Sequence, residues 1–185
     1  MSEKILVIYA HSQPHKSRVN RRLADAARLV PGVQVRDLYD TYPDFHIDIG
    51  AEQALLAEAD TVVFLHPIQW YSMPALLKEW TDTVLQPGWA YGSGGTALAG
   101  KRYWLVATAG SEEAAYTEQG AHGRPFEHYL PPFRQTAALC GMAWETPLIL
   151  FGAHKVDNAT VDAHVDAFRR QLAAWATPDL QPDLD

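Results

Sequence analysis

Five short apolar runs, separated by segments long enough for helices, constrain this chain more than any other feature. Lys4 to Ala10 (KILVIYA) is rich in β-branched and aromatic residues and ends at polar His11 and Ser12, the pattern of a strand buried on both faces. Thr61 to His66, Tyr103 to Thr108 and Trp144 to Phe151 have the same character, while Val33 to Leu38 alternates and fits a strand nearer an edge. Helix-length segments lie between or after them: Ser17 to Val30, Ala51 to Ala59, Pro74 to Leu85, Phe126 to Cys140 and Asp157 to Trp175. In the last of these Val161, Val165, Phe168, Leu172 and Trp175 recur every three or four residues, so one face is buried. The expectation is an α/β fold, a doubly wound five-stranded parallel sheet with helices on both faces. Residues 1–177 read as one domain, and Pro178 to Asp185, with two prolines and three aspartates, as a disordered tail.

In such a sheet the ligand crevice lies beyond the carboxyl ends of the strands, which directs attention to three loops. The first, HSQPHKSRVN, places Ser17 at a helix N-cap position with Arg18, Val19 and Asn20 in the first turn. Open backbone N–H groups and the positive end of the helix dipole make a phosphate site there, to which Arg18, Asn20 and His11 would add donors. A role for Ser17 as a helix cap alone is equally open. The second loop, Pro67 to Pro74, is stiffened by two prolines and carries Gln69, Trp70 and Tyr71. Its aromatics suit a wall for a flat heteroaromatic ligand, or the cover of a core edge. The third, Ala109 to Arg124, carries Tyr116 and His122, both able to give a proton to a reducible oxygen, although either residue taken singly is more often structural.

Other chemistry finds less support. A formal net charge of -7 over 185 residues offers no field for nucleic acid or an anionic membrane. No apolar run approaches the roughly 20 residues of a membrane span, the first residues have a strand's length, not a signal peptide's, and Cys140 is the only cysteine. A cytoplasmic protein without membrane insertion is the expectation. Gly95 to Lys101 fits G-x-x-x-x-G-K, but Arg102 stands where Ser or Thr should bind magnesium, and a strand follows where a helix should start. Gly92 to Ala97 fits the looser dinucleotide pattern without the flanking strand and helix. The eight histidines lack metal spacing, including His46 with Asp48 and His122 with His128, so no metal site is expected. There is no G-x-S-x-G elbow, and Cys140 has no activating partner.

Taken together, Tyr9-Ala10-His11, Ser17-Arg18-Val19-Asn20, Leu38-Tyr39, Tyr42-Pro43-Asp44-Phe45, Ala51-Glu52-Gln53, His66 to Ser72, Gly88 to Gly92 and Gly120-Ala121-His122 carry a resemblance over nearly the whole chain. The sequence resembles the flavodoxin-like NAD(P)H:quinone oxidoreductases, which include DT-diaphorase and, closest to this chain, the ancillary oxidoreductases of glutathione-gated potassium-efflux systems. The resemblance implies a flavin whose phosphate sits at His11 and Ser17 to Asn20. Its ring would lie against Pro67, Ile68, Gln69, Trp70 and Tyr71 and against Thr108, Ala109, Gly110 and Ser111. Tyr116 and His122 would form the hydride-site pair. It further implies FMN in preference to FAD, NAD(P)H as co-substrate, a quinone or similar electrophile as acceptor in a ping-pong reaction, and a homodimer, for which Trp89 to Tyr91 and the Trp70 loop are candidate interface residues. A potassium-efflux antiporter would be a further partner, holding the protein at the periphery of the inner membrane. The chain departs from the family's frequent consecutive glycines at Thr108-Ala109-Gly110-Ser111, where Ala109 allows fewer backbone conformations. Two other readings stand beside the enzyme: a regulatory subunit of that antiporter, and an electron-transfer flavodoxin with one-electron chemistry.

Overall fold

The computed structural model describes residues 3–177; the tail assigned to residues 178–185 lies outside them. A parallel sheet runs through the molecule in the order β2-β1-β3-β4-β5, with β6 also paired to β4. Its strands are β1 (Ile5–Tyr9), β2 (Val33–Asp37), β3 (Thr61–Pro67), β4 (Arg102–Thr108), β5 (Ala143–Trp144) and β6 (Leu148–Leu150). The expected fifth strand is thus two short ones on the same neighbour. Pro147 between them has no N–H for a ladder, and an edge position tolerates the gap.

The apolar runs are continuous because both faces of the sheet are covered. Leu6, Ile8, Val62, Phe64, Tyr103 and Leu105 point to one face, and Ile5, Val7, Val63, Leu65, Trp104 and Val106 to the other, the twofold alternation of strand side chains. The second face packs on α1 (Asn20–Arg28) and α6 (Asn158–Ala176) through Leu23, Ala27, Val161, Phe168 and Leu172. The first packs on α2 (Leu38–Thr41), α3 (Ile49–Glu58), α4 (Ala75–Val84) and α5 (Pro131–Leu139) through Leu38, Leu56, Trp80 and Phe133.

Helix boundaries follow local chemistry. Asp48 caps α3 by accepting from Ala51 N at 3.0 Å, and Asp157 caps α6 by accepting from Thr160 N at 2.7 Å. The segment expected as one helix from Phe126 to Cys140 is instead a 3₁₀ turn, Phe126–Tyr129, followed by α5, because a Pro131-Pro132 pair starts helices and cannot continue them. The helix expected from Ser17 begins only at Asn20, after a 3₁₀ turn over Pro14–Lys16. The short α2 was not foreseen; Asp37 caps it.

Among the described residues one ionic group is fully buried. The Glu52 carboxylate accepts from Arg36 Nε at 2.8 Å, Tyr42 Oη at 2.7 Å and Trp80 Nε1 at 2.9 Å. With its lone pairs taken up in this way, the charge is tolerated between α3, α4 and β2.

Candidate functional site

The chain reverses direction across the sheet between β1 and β3, and the strand ends there leave a crevice. Ile68 N donates to Thr108 O at 2.7 Å and Ala10 N to Leu65 O at 3.0 Å, so the three loops leave the sheet side by side. They surround a cavity of about 500 Å³, within the roughly 300–1,000 Å³ of small-molecule sites.

Of the residues anticipated for this site, His11, Ser17, Arg18, Val19, Asn20, Pro67, Ile68, Gln69, Thr108 and Gly110 line the cavity. At one end the first turn of α1 leaves its N–H groups without helical partners. Ser17 is not the N-cap, a place taken by Val19, yet its Oγ accepts from Arg21 N at 3.0 Å and does a cap's work from one turn away. His11 Nδ1 accepts from Gln13 N at 3.1 Å, which assigns the ring proton to Nε2 as a remaining donor. Burial and the neighbouring His15 and His154 lower the His11 pKa. Arg18 lines the cavity but is also a clamp: its guanidinium donates to Val156 O at 2.6 Å and Asn158 Oδ1 at 2.8 Å, tying the loop to the start of α6.

Asn20 is only 2% exposed. Its Nδ2 donates to Thr108 Oγ1 at 2.9 Å, while its Oδ1 is buried with no protein partner. An orphaned acceptor is costly in an interior and suits a ligand hydroxyl.

Four residues anticipated for the cofactor do not line the cavity, nor do Tyr116 and His122, anticipated for the hydride site. Ala109 is fully buried, with its N–H given to Leu150 O and its carbonyl to Ala153 N, so its backbone serves the sheet and cannot read a ring. Trp70 is 93% exposed. It and Tyr71 occupy the centre of a two-residue turn closed by Gln69 N to Ser72 O at 3.1 Å and Ser72 N to Gln69 O at 3.0 Å. Both central residues have positive φ, 48° and 65°, the geometry of a type I′ turn that normally takes Asn-Gly. The turn swings Trp70 to solvent and Tyr71 towards the third loop.

There Tyr71 stacks on Tyr129 at 4.9 Å between ring centroids, and its hydroxyl lies 3.4 Å from His122 Nδ1. Tyr116 and His122, six residues apart in sequence, stack at 4.3 Å. Ser111, the fourth, has its Oγ 3.0 Å from His122 Nε2. A Cβ on Gly120 would meet Ala115 O at 2.4 Å, so only glycine lets this loop close and carry His122 back over Tyr116. Burial raises the Tyr116 pKa, and a hydrogen bond with Ser111 draws it part of the way back.

Ser12, Gln13, Lys16, Ala153 and His154 also line the cavity and were not singled out from the sequence. The first three lie within the first loop. Ala153 and His154 come from the turn after β6, another strand end to which the crevice rule points. His154 rests so close that a Cβ on Gly110 would be 3.3 Å from its ring. Among the described residues there is no group of three or more His, Cys, Asp or Glu that could hold a metal ion, and no helix long and apolar enough to cross a membrane. Cys140 is buried, which raises its pKa and leaves it a poor nucleophile.

Fold and cavity define a doubly wound α/β protein whose first helix starts at a cavity by its switch point. The family model described as the flavodoxin-like fold matches residues 3–175, and the chain belongs to that family. A structure described as a thermophilic tryptophan halogenase from Streptomycin violaceusniger is 39% identical, with a TM-score of 0.86, covering 89% of this chain and 96% of its own. General stress protein 14 of Treponema denticola, solved in complex with FMN, is 36% identical at a TM-score of 0.83, over 95% and 98% of the two chains. An NADPH-quinone reductase from P.pentosaceus is 25% identical at 0.82, over 94% and 98%.

Proposed function

We propose that this protein is a flavin-dependent NAD(P)H:quinone oxidoreductase that holds FMN in the cavity between its three loops. The strongest support is the match between that cavity's two ends and the two ends of the cofactor. One end gathers His11, Lys16, Ser17, Arg18 and the N–H groups of α1, donors for a phosphate monoester. The orphaned Asn20 Oδ1 between the ends suits a ribityl hydroxyl. The other end offers Pro67, Ile68, Thr108 and Gly110 to a flat ring. FMN-bound general stress protein 14, similar over 95% of this chain, supports the same cofactor.

Bound there, the flavin supplies two-electron hydride transfer between NAD(P)H and a quinone, the two substrates using one pocket in turn. The protein's part is to orient both partners, exclude water and hold protons. Tyr116 and His122 stack on the loop that leaves β4 at Gly110, outside the cavity lining, and their role would be to give a proton to a quinone oxygen brought against that loop. Exposed Trp70 at the rim is available to a second copy of the chain in a homodimer, which sedimentation would detect.

The test is to purify the protein, record its visible spectrum, identify the released cofactor by mass and assay NAD(P)H oxidation with quinones. A protein that takes up neither FMN nor FAD overturns the reading, and a stable one-electron radical on titration replaces it with electron transfer. Because the 39%-identical structure bears the name of a tryptophan halogenase, tryptophan and chloride belong in the assay; their turnover in place of quinone would also replace it. A regulatory role at a potassium-efflux antiporter is separable: Tyr116→Phe with His122→Ala would abolish quinone reduction and spare channel activation.

A further inference from the structure

Two side-chain amides bridge the walls of the cavity. Asn20 donates to Thr108 at its base, where the two residues are 2% and 4% exposed. Gln69 Nε2, in the second loop, donates to Ser12 Oγ in the first at 2.9 Å, across 57 positions of chain. Both residues line the cavity, and Ser12 is exposed and Gln69 half-buried, which puts this second bridge at the mouth. We propose that the Gln69–Ser12 bridge is a strap across the mouth, which the cofactor must part to enter or leave. The proposal rests on the flavin reading of this cavity.

The backbones beneath the strap are held, so its opening falls to the side chains. Gln69 is fixed by the tight turn, its N–H given to Ser72 O at 3.1 Å and its carbonyl accepting from Ser72 N at 3.0 Å. Ser12 is braced on both sides: Ala10 N donates to Leu65 O at 3.0 Å, and Gln13 N to His11 Nδ1 at 3.1 Å. The bond from Ala10 already joins the first loop to β3 at the strand ends, so the bridge above it is not needed to keep the two loops together. Either orientation of the carboxamide keeps the bridge, because the serine hydroxyl both accepts and donates.

Exposed side chains rotate in picoseconds to nanoseconds, far faster than a ligand crosses the mouth. The strap therefore acts through the fraction of time it stands open. One hydrogen bond of ordinary net strength keeps it closed about five times as often as open. Cutting it should speed entry and exit by the same factor, because the strap closes over a loaded cavity as over a free one. A side chain that only touches the cofactor would alter exit alone.

The experiment compares wild type, Ser12→Ala, Ser12→Thr, Gln69→Leu and the double variant Ser12→Ala with Gln69→Leu. FMN uptake by the cofactor-free protein is followed by fluorescence after rapid mixing, and FMN release by diluting the holoenzyme. Ser12→Ala is expected to raise both rates about fivefold with the affinity nearly unchanged, and Ser12→Thr, which keeps the hydroxyl, to stay near wild type. The double variant should take up FMN no faster than either single one, since both remove the same bond. Unchanged rates in Ser12→Ala, a rise in release alone, or effects that multiply in the double variant would overturn the strap. Nitrogen-15 NMR of the Gln69 carboxamide gives a separate reading in the cofactor-free protein, where Ser12→Ala should shift its signals and speed its proton exchange. Failure of the wild type to take up any flavin would overturn the underlying reading, and identical carboxamide signals in wild type and Ser12→Ala would then overturn the strap as well.

Discussion

The side-chain amide of Asn20 donates to the hydroxyl of Thr108 at 2.9 Å, joining the first turn of α1 to the end of β4 beneath the cavity. These residues are 88 positions apart in the chain. The bond turns Asn20 Oδ1 away from Thr108 and leaves it without a protein partner.

Asn20→Ala should therefore affect ligand more than fold. It removes a hydrogen bond worth about 1 kcal/mol and an unpaired acceptor costing about 1–3 kcal/mol, so the free protein should be unchanged or more stable by up to about 2 kcal/mol. FMN affinity should fall about tenfold, the loss of one bond of about 1.4 kcal/mol. Urea unfolding and flavin fluorescence titration measure the two, and a large stability loss with unchanged affinity would contradict the account.

The Trp70-Tyr71 turn stores strain. Two consecutive side-chain-bearing residues with positive φ cost roughly 1–2 kcal/mol each. Trp70 is almost entirely exposed, so Trp70→Asn removes strain and loses little packing. It should stabilise the protein by about 1 kcal/mol in urea unfolding. Absence of any gain would mean that the indole has a stabilising contact of its own.

His66 makes stability depend on pH. It is fully buried at the end of β3, its Nδ1 bonded to Pro67 O at 2.9 Å and its Nε2 unpartnered. Burial pushes its pKa from 6.5 to about 4. The unfolded chain takes up this proton at the higher pH, so the contribution is intact above pH 6.5 and is lost as pH falls towards 4. The full loss is about 3 kcal/mol. His66→Phe should flatten that part of the stability curve, and an equally steep fall in the variant would assign the effect elsewhere.

His154 reaches the cavity from the turn after β6, and its closeness to His11 helps lower that residue's pKa. If it serves the phosphate end, His154→Ala should weaken FMN several-fold and leave riboflavin, which lacks the phosphate, unchanged. Equal losses for both flavins would place His154 at the ring end.

The alternation of apolar runs and helix-length segments determined a doubly wound parallel sheet, because strands buried on both faces need helices on each side. The crevice rule then led to most of the cavity's residues, since HSQPHKSRVN and the loop after β3 follow strands that the periodicity already marked. Position along the chain could not show where Trp70 points, because one tight turn with positive φ sends it to solvent and Tyr71 to His122. Nor could it show that Pro147 splits the last strand, that Ala109 spends its backbone on the sheet, or that His154 arrives from the far edge. Those outcomes depend on which groups meet across the strand ends, and distance in sequence carries no record of such meetings. The third loop and the family resemblance marked Tyr116 and His122; only folding laid one ring on the other and set Ser111 against the imidazole.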